Sequence, residues 1–69
     1  MFYNLQRNVK FLRKKNKLTL VELAYMLGIA KSSLANFEGG QRNCSLEILD
    51  KLSKIFNISL DDLVYKELK

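Results

Sequence analysis

Residues 19–40, TLVELAYMLGIAKSSLANFEGG, decide the fold. They contain two short segments whose apolar residues recur at helical spacing, with Gly28 between them. Thr19 followed three residues later by Glu22 has the pattern of a capping box, which predicts the start of the first helix. Gly28 suits the left-handed position at which many helices end. Two helices joined by a short turn that contains Gly predict a helix-turn-helix over about residues 19–38.

The sequence of this stretch also predicts the bounds of its second helix and the residues that the two helices bury. The second helix is expected from about Lys31 to Glu38, and Ala30 before it carries no capping side chain. Its outer face could enter a DNA major groove. An unspecialised helical hairpin is the alternative, and this segment alone leaves both open. The residues predicted to be buried are Val21, Leu23, Ala24, Leu27, Leu34 and Phe37, with Ile29 packed against them.

Three further helices are predicted outside this stretch. Leu5, Val9 and Leu12 recur at helical spacing, and that helix is expected to stop near Asn16. Ser45 and Ser59 each have the character of an N-cap. No strand pattern competes, so we expect a compact all-α domain of five helices over residues 1–69. The residues expected on the buried side of the fourth helix are Leu46, Ile48, Leu49, Leu52, Ile55 and Phe56, and the apolar residues of the fifth helix are Leu60, Leu63 and Val64.

The charge of the chain is unevenly distributed. Its 69 residues carry a formal net charge of +5. Residues 1–44 hold eight Lys and Arg against two Asp and Glu, whereas residues 45–69 hold four against five. This asymmetry favours an anionic partner facing the first two thirds of the chain, although a solvated basic surface is the simpler alternative. The basic stretch that could supply this attraction comprises Arg7, Lys10, Lys14, Lys15 and Lys17.

The composition argues against several classes of protein. The chain has no His, and Cys44 is its only cysteine, which excludes a zinc site or a Cys–His nucleophile pair within one chain. We therefore expect no enzymatic activity, metal or cofactor. Cys44 alone could at most be a redox switch or form an intermolecular disulfide, and it is interpreted as a loop residue in a reducing, cytoplasmic setting. No apolar run approaches the roughly 20 residues of a membrane span. The first eleven residues, MFYNLQRNVKF, become polar too early for a signal peptide.

An ordered series of short motifs carries a resemblance that extends without a gap over about residues 5–64. The chain resembles the lambda-repressor-like, Cro/Xre-type helix-turn-helix family. The resemblance implies a sequence-specific transcriptional regulator, most often a repressor, that binds operator DNA as a dimer on two-fold-related half-sites. The motifs are Leu18-Thr19, Glu22-Leu23-Ala24, Leu27-Gly28-Ile29, Lys31-Ser32-Ser33-Leu34, Glu38-x-Gly40-x-Arg42-Asn43, Ser45-Leu46-Glu47 and Ile58-Ser59-Leu60-Asp61-Asp62-Leu63.

The resemblance also implies roles for individual residues. In this family the second helix of the helix-turn-helix contacts bases. Phosphates are contacted by the start of the first helix of that motif and by the loop after its second helix. An ion pair joins the first helix of the whole domain to the end of its third helix, and the last helix often forms the dimer contact. The matching residues are Lys31, Ser32, Ser33 and Asn36 for bases, the Thr19 N–H, Gln41, Arg42 and Asn43 for phosphates, Arg13 and Glu38 for the pair, and Val64, Tyr65 and Leu68 for the dimer.

Four positions depart from the family pattern. Leu20 stands where Gln often contacts phosphate, Gly39 where a polar or basic residue is frequent, Ala30 where Ser or Thr caps the helix, and Cys44 where Pro is usual. Leu20 and Gly39 slightly favour an alternative function, in which the same fold binds a protein, as an antitoxin or co-regulator does. Double-stranded DNA nevertheless stays the expected partner, and no small-molecule ligand is predicted.

Overall fold

The computed structural model describes residues 4–41 and 44–68, and these residues form five α-helices and no strand. The five-helix, all-α prediction is therefore confirmed. The helices are α1 (Leu5–Lys15), α2 (Leu20–Leu27), α3 (Lys31–Glu38), α4 (Leu46–Phe56) and α5 (Leu60–Tyr65).

Local capping signals set the ends of these helices. The Glu22 N–H donates to Thr19 Oγ1 at 3.1 Å, and the Thr19 N–H donates to Glu22 Oε1 at 2.8 Å, so the predicted capping box is formed. The hydroxyls of Ser45 and Ser59 cap α4 and α5 by accepting from the N–H groups of Ile48 and Asp62. Ala30 gives α3 no side-chain cap.

The helices enclose a cluster of buried apolar side chains. In this arrangement α2 packs against α3 and α4, α1 packs against α3 and α5, and α4 packs against α5. Every helix contributes at least two residues to the cluster, so the core itself fixes the position of α3. Its members are Leu5, Val9, Leu23, Ala24, Leu27, Leu34, Phe37, Leu49, Leu52, Leu63 and Val64.

Three residues of the predicted apolar faces are exposed. They are Val21, Leu46 and Leu60, with Leu46 reaching 80% exposure. Leu46 and Leu60 are the first residues of α4 and α5. Because helical side chains tilt toward the N-terminus, these two point past the end of their helix and off the core. Val21 lies two positions before Leu23, and at 3.6 residues per turn it therefore faces away from the side that Leu23 buries.

A buried polar residue, Asn8, joins α1 to the end of the chain. Asn8 is 2% exposed, and its amide Nδ2 donates to Leu63 O at 2.8 Å and to Lys66 O at 2.6 Å. Its Oδ1 accepts from the Leu68 N–H at 3.3 Å. These bonds hold the segment after α5 against the first helix, a link that the sequence did not predict.

Candidate nucleic-acid interface

The corner between α2 and α3 is built from one glycine and one lysine. Gly28 has φ 74°, the left-handed conformation that the sequence predicted for it. The Ile29 N–H donates to Ala24 O at 3.0 Å and closes the end of α2. Lys51 of α4 donates its Nζ to Leu27 O at 3.2 Å, which places a cation at the negative end of α2. The corner is thus held from both sides, and the direction of α3 follows from it.

The outward face of α3 differs slightly from the predicted set. Leu34 and Phe37 are buried, whereas Lys31, Ser32 and Asn36 are exposed. At about 100° per residue, the face opposite the buried pair consists of Lys31, Ser32, Ala35 and Asn36. Ala35, which is exposed, was missed because its apolar side chain gave no sign of a contact role.

Ser33 lies away from the centre of this outward face. It is half-buried and lines a small groove of about 220 Å³ between α3 and α4. The other lining residues are Ile29, Leu34, Phe37, Cys44, Ser45 and Ile48. Of the four candidate base contacts, Ser33 is therefore the one least exposed on the outward side of α3.

The start of α2 offers backbone donors, although not the one expected. The Thr19 N–H already donates to Glu22 Oε1 and is not open to a phosphate in this conformation. Among the hydrogen bonds of the described residues, none uses the N–H groups of Leu20 and Val21. These two groups can meet an anion at the positive helix end. The Glu22 carboxylate sits beside them and opposes that attraction.

The loop after α3 begins with a tight turn. Gly40 has φ 81°, and the Gln41 N–H donates to Asn36 O at 2.9 Å. Gln41 is exposed where the chain leaves α3. The other two loop candidates, Arg42 and Asn43, lie outside the described residues.

A buried ion pair fixes the last turn of α3 to α1. Arg13 Nε donates to Glu38 Oε2 at 2.7 Å, and Nη2 donates to Oε1 at 3.1 Å. The guanidinium also donates through Nη1 to Leu18 O at 2.9 Å. The two side chains are only 10% and 6% exposed. The two charges neutralise each other inside the protein. The predicted pair therefore positions α3 and does not contact a ligand.

Beside this pair lies a concave basic surface, which we call the α1 groove. It has a volume of about 500 Å³ and is lined by Arg7, Lys10, Phe11, Lys14 and Glu38. The sequence indicated the cations of α1 but not their concave arrangement. The side chain of Lys15 lies over the Phe11 ring, 6.0 Å from its centroid.

The three dimer candidates occupy different environments. Val64 is 6% exposed and belongs to the core of its own chain, so its inclusion as a dimer contact is corrected. Leu68 is half-buried, with its N–H bonded to Asn8. Tyr65 is 67% exposed. Tyr65 is therefore the candidate with the most side-chain surface available to a second copy.

Burial raises the pKa of the Cys44 thiol, against a smaller lowering by a backbone hydrogen bond, so at neutral pH the thiol is favoured over the reactive thiolate. Within residues 4–41 and 44–68, no helix has both the length and the apolar character needed to cross a membrane.

A capped α2, a left-handed glycine corner and an α3 with an exposed polar face together define a helix-turn-helix domain. A helix-turn-helix family model matches residues 9–63. The chain therefore belongs to the helix-turn-helix family of transcriptional regulators, of the Cro/Xre type.

Curated relatives support this assignment. The chain is 40% identical over 58 residues to the antitoxin PezA of Streptococcus pneumoniae, covering 84% of this chain and 37% of that protein. It is 45% identical over 56 residues to the transcriptional regulator AnsR of Bacillus subtilis, covering 81% and 48%. The chain thus spans less than half the length of these two relatives.

Solved structures show the same fold. The N-terminal DNA-binding domain of SinR from Bacillus subtilis superposes with a TM-score of 0.83 at 30% identity, covering 96% of this chain and 97% of that domain. The restriction-modification controller C.AhdI from Aeromonas hydrophila superposes with a TM-score of 0.76 at 30% identity, covering 87% and 91%.

Proposed function

We propose that this chain binds a two-fold-symmetric DNA operator as a dimer, with α3 in the major groove, and represses transcription by occupying the site. The observation that carries the proposal is the outward face of α3, held rigidly by Leu34 and Phe37 on its other side. Three of its four side chains, those of Ser32, Ala35 and Asn36, are short, which lets the helix backbone approach base edges closely. Lys31 can donate to guanine acceptors and Asn36 can pair with adenine, while the Ala35 methyl can contact a thymine methyl.

Phosphate contacts position such a helix without specifying a sequence. The Leu20 and Val21 N–H groups and the Gln41 side chain lie at the two ends of the helix-turn-helix, where the flanking backbone of a bound duplex runs. Arg42 and Asn43 are proposed for the same role from their place in the loop. The net charge of +5 adds attraction over longer range.

A dimer places two copies of α3 in successive major grooves, about 34–36 Å apart. Tyr65 is the proposed centre of the dimer contact, with Leu68 beside it. In this function the chain acts in the cytoplasm, where it meets the chromosome, and it catalyses no reaction.

In-vitro selection of bound duplexes tests the proposal most directly. A consensus with two-fold symmetry would support the operator, the dimer and the half-site spacing together. Because phosphate contact releases counterions, binding must weaken as salt rises. Failure to bind any duplex at low ionic strength would contradict the proposal.

Replacing Lys31 or Asn36 with Ala is expected to relax base preference at the contacted position. The loss of discrimination should be about 1–3 kcal/mol against the wrong base, since each removes a donor aimed at base edges. Repeating the selection with each variant measures the change. Lys54→Ala, an exposed lysine on α4, is the control and should keep the original consensus. An equal loss of affinity for all sequences would argue against base reading.

Replacing Arg42 with Ala is expected to weaken binding to every duplex to a similar degree. A phosphate contact carries no sequence information, and its removal should make the dependence of log affinity on log salt shallower by about 1. Titrations at several salt concentrations, on the consensus and on a scrambled duplex, measure both effects. A changed base preference would assign Arg42 to a base instead.

A second function is favoured by specific observations. The relative PezA is named an antitoxin, and a structure of a SinR–SinI protein complex superposes with a TM-score of 0.80 at 31% identity, covering 93% of this chain and 63% of that one. Leu20 and Gly39 also lack phosphate-binding side chains. The alternative proposal is a protein-interaction module with weak DNA binding. Tight binding of a protein partner, combined with a mobility shift only at low salt, would favour it.

A further inference from the structure

We infer that the α1 groove holds a second segment of DNA backbone, beyond the base pairs that α3 reads. This inference rests on the proposed function, since it extends the surface that meets the duplex. It assigns a binding role to Arg7, Lys10 and Lys14, which lie outside the helix-turn-helix.

The charge of the groove favours an anion. Three of its five lining residues are cations, and the charge of its one carboxylate, Glu38, is already neutralised by the ion pair with Arg13. Arg7 has an alternative partner in Glu67, but the pair is 4.0 Å apart with both side chains largely exposed. Such surface pairs contribute little, so Arg7 stays available to a stronger anion.

The spacing of the cations favours an extended anion over a compact one. Positions 7, 10 and 14 recur at three and four residues and therefore lie along one side of α1. At 1.5 Å of rise per residue, Arg7 and Lys14 are about 10 Å apart along the helix axis. A single phosphate cannot touch the whole row, whereas successive phosphates of a strand can.

The position of the groove favours DNA over an acidic peptide. Glu38 is both the last residue of α3 and a wall of the groove, so the groove adjoins the end of the proposed recognition helix. The exposed loop that follows α3, residues 39–41, begins at the same point. A backbone strand that passes this loop can continue into the groove without leaving the protein surface.

The test compares two variants with the same change in charge. In Lys10→Gln/Lys14→Gln the groove loses two cations, whereas in Lys54→Gln/Lys66→Gln two exposed lysines on α4 and just after α5 are lost instead. Gln is a good helix former, so α1 should persist, and thermal unfolding checks this. Affinities are measured by fluorescence anisotropy between 50 and 200 mM salt. The probes are the selected consensus trimmed to its ends and the same consensus extended by a full turn of duplex on each side.

We expect the groove variant to lose affinity on the extended duplex and little on the trimmed one. Its log–log salt slope should be shallower than wild type by about 2, so the ratio of wild-type to variant affinity should fall about tenfold across this salt range. Equal losses in the two variants would reduce the effect to long-range charge and overturn the inference.

The remaining outcomes distinguish failure of this inference from failure of the proposed function. If wild type binds the consensus but the groove variant binds both duplexes as tightly, the groove assignment fails and the proposed function stands. If wild type binds no duplex, both fail. Polyglutamate serves as an acidic-peptide probe. Binding of polyglutamate that depends on Lys10 and Lys14, with unchanged DNA affinity, would assign the groove to a peptide and overturn the DNA assignment.

Discussion

Replacing Glu38 with Ala is expected to lower the free energy of unfolding by about 3–5 kcal/mol. The change would leave the guanidinium of Arg13, which is nine-tenths buried, without its carboxylate. The bond to Leu18 O would remain, but a carbonyl does not neutralise a buried cation. Because small domains are stable by only about 5–15 kcal/mol, the variant should be close to unfolding at room temperature. Urea denaturation of the two proteins measures the difference.

Two further variants define what this result means. Glu67→Ala removes an exposed carboxylate 4.0 Å from Arg7 and should cost less than about 1 kcal/mol. Arg13→Met/Glu38→Leu removes both charges and should recover much of the loss, because apolar replacement of a buried pair is often neutral. A loss for Glu38→Ala as small as that for Glu67→Ala would show that the pair is not desolvated in solution.

The parts of this fold that the sequence predicts are those set by local chemistry. Thr19, Glu22 and Gly28 act within a few residues of themselves, as a capping box and as a left-handed helix end, and each appears in the structure as expected. The bounds of α3 also match the prediction. These bounds could be predicted from the neighbouring sequence, because Gly28 precedes the apolar pair Leu34 and Phe37 and Gly39-Gly40 follows it.

The parts that the sequence did not predict depend on the packing of distant segments. Leu46 and Val64 are both apolar residues near a helix end, yet one is exposed and the other is in the core. Periodicity cannot distinguish them, since the difference lies in where the next helix passes. The α1 groove has the same origin. Its cations are visible in the sequence, but its wall at Glu38 is brought there by the ion pair with Arg13.

Asn8 is the clearest case of a residue whose role depends on segments distant in sequence. Its replacement is the second substitution expected to have a large effect on stability. Replacing Asn8 with Ala should lower the free energy of unfolding by about 2–3 kcal/mol, since it leaves one buried and two partly buried backbone groups without this partner. The carbonyl of Leu63 and the N–H of Leu68 are 55 and 60 residues away in sequence. Urea denaturation measures the loss, and hydrogen exchange at the Leu68 amide should become faster.

Asn4 provides the matched control, because its Nδ2 also donates to a carbonyl of the last segment, Tyr65 O at 2.9 Å, but at an exposed position. Asn4→Ala should cost less than Asn8→Ala, since water replaces the lost bond there. Asn8→Asp should be worse than Ala at neutral pH, because a carboxylate would face the carbonyls of Leu63 and Lys66 where the amide donates. Acidification should narrow that difference, as a protonated carboxyl can again donate one hydrogen bond. If neither Asn8→Ala nor Asn8→Asp lowered the free energy of unfolding, Asn8 would not hold the segment after α5 in solution, and Leu68 would not be fixed beside the proposed Tyr65 contact.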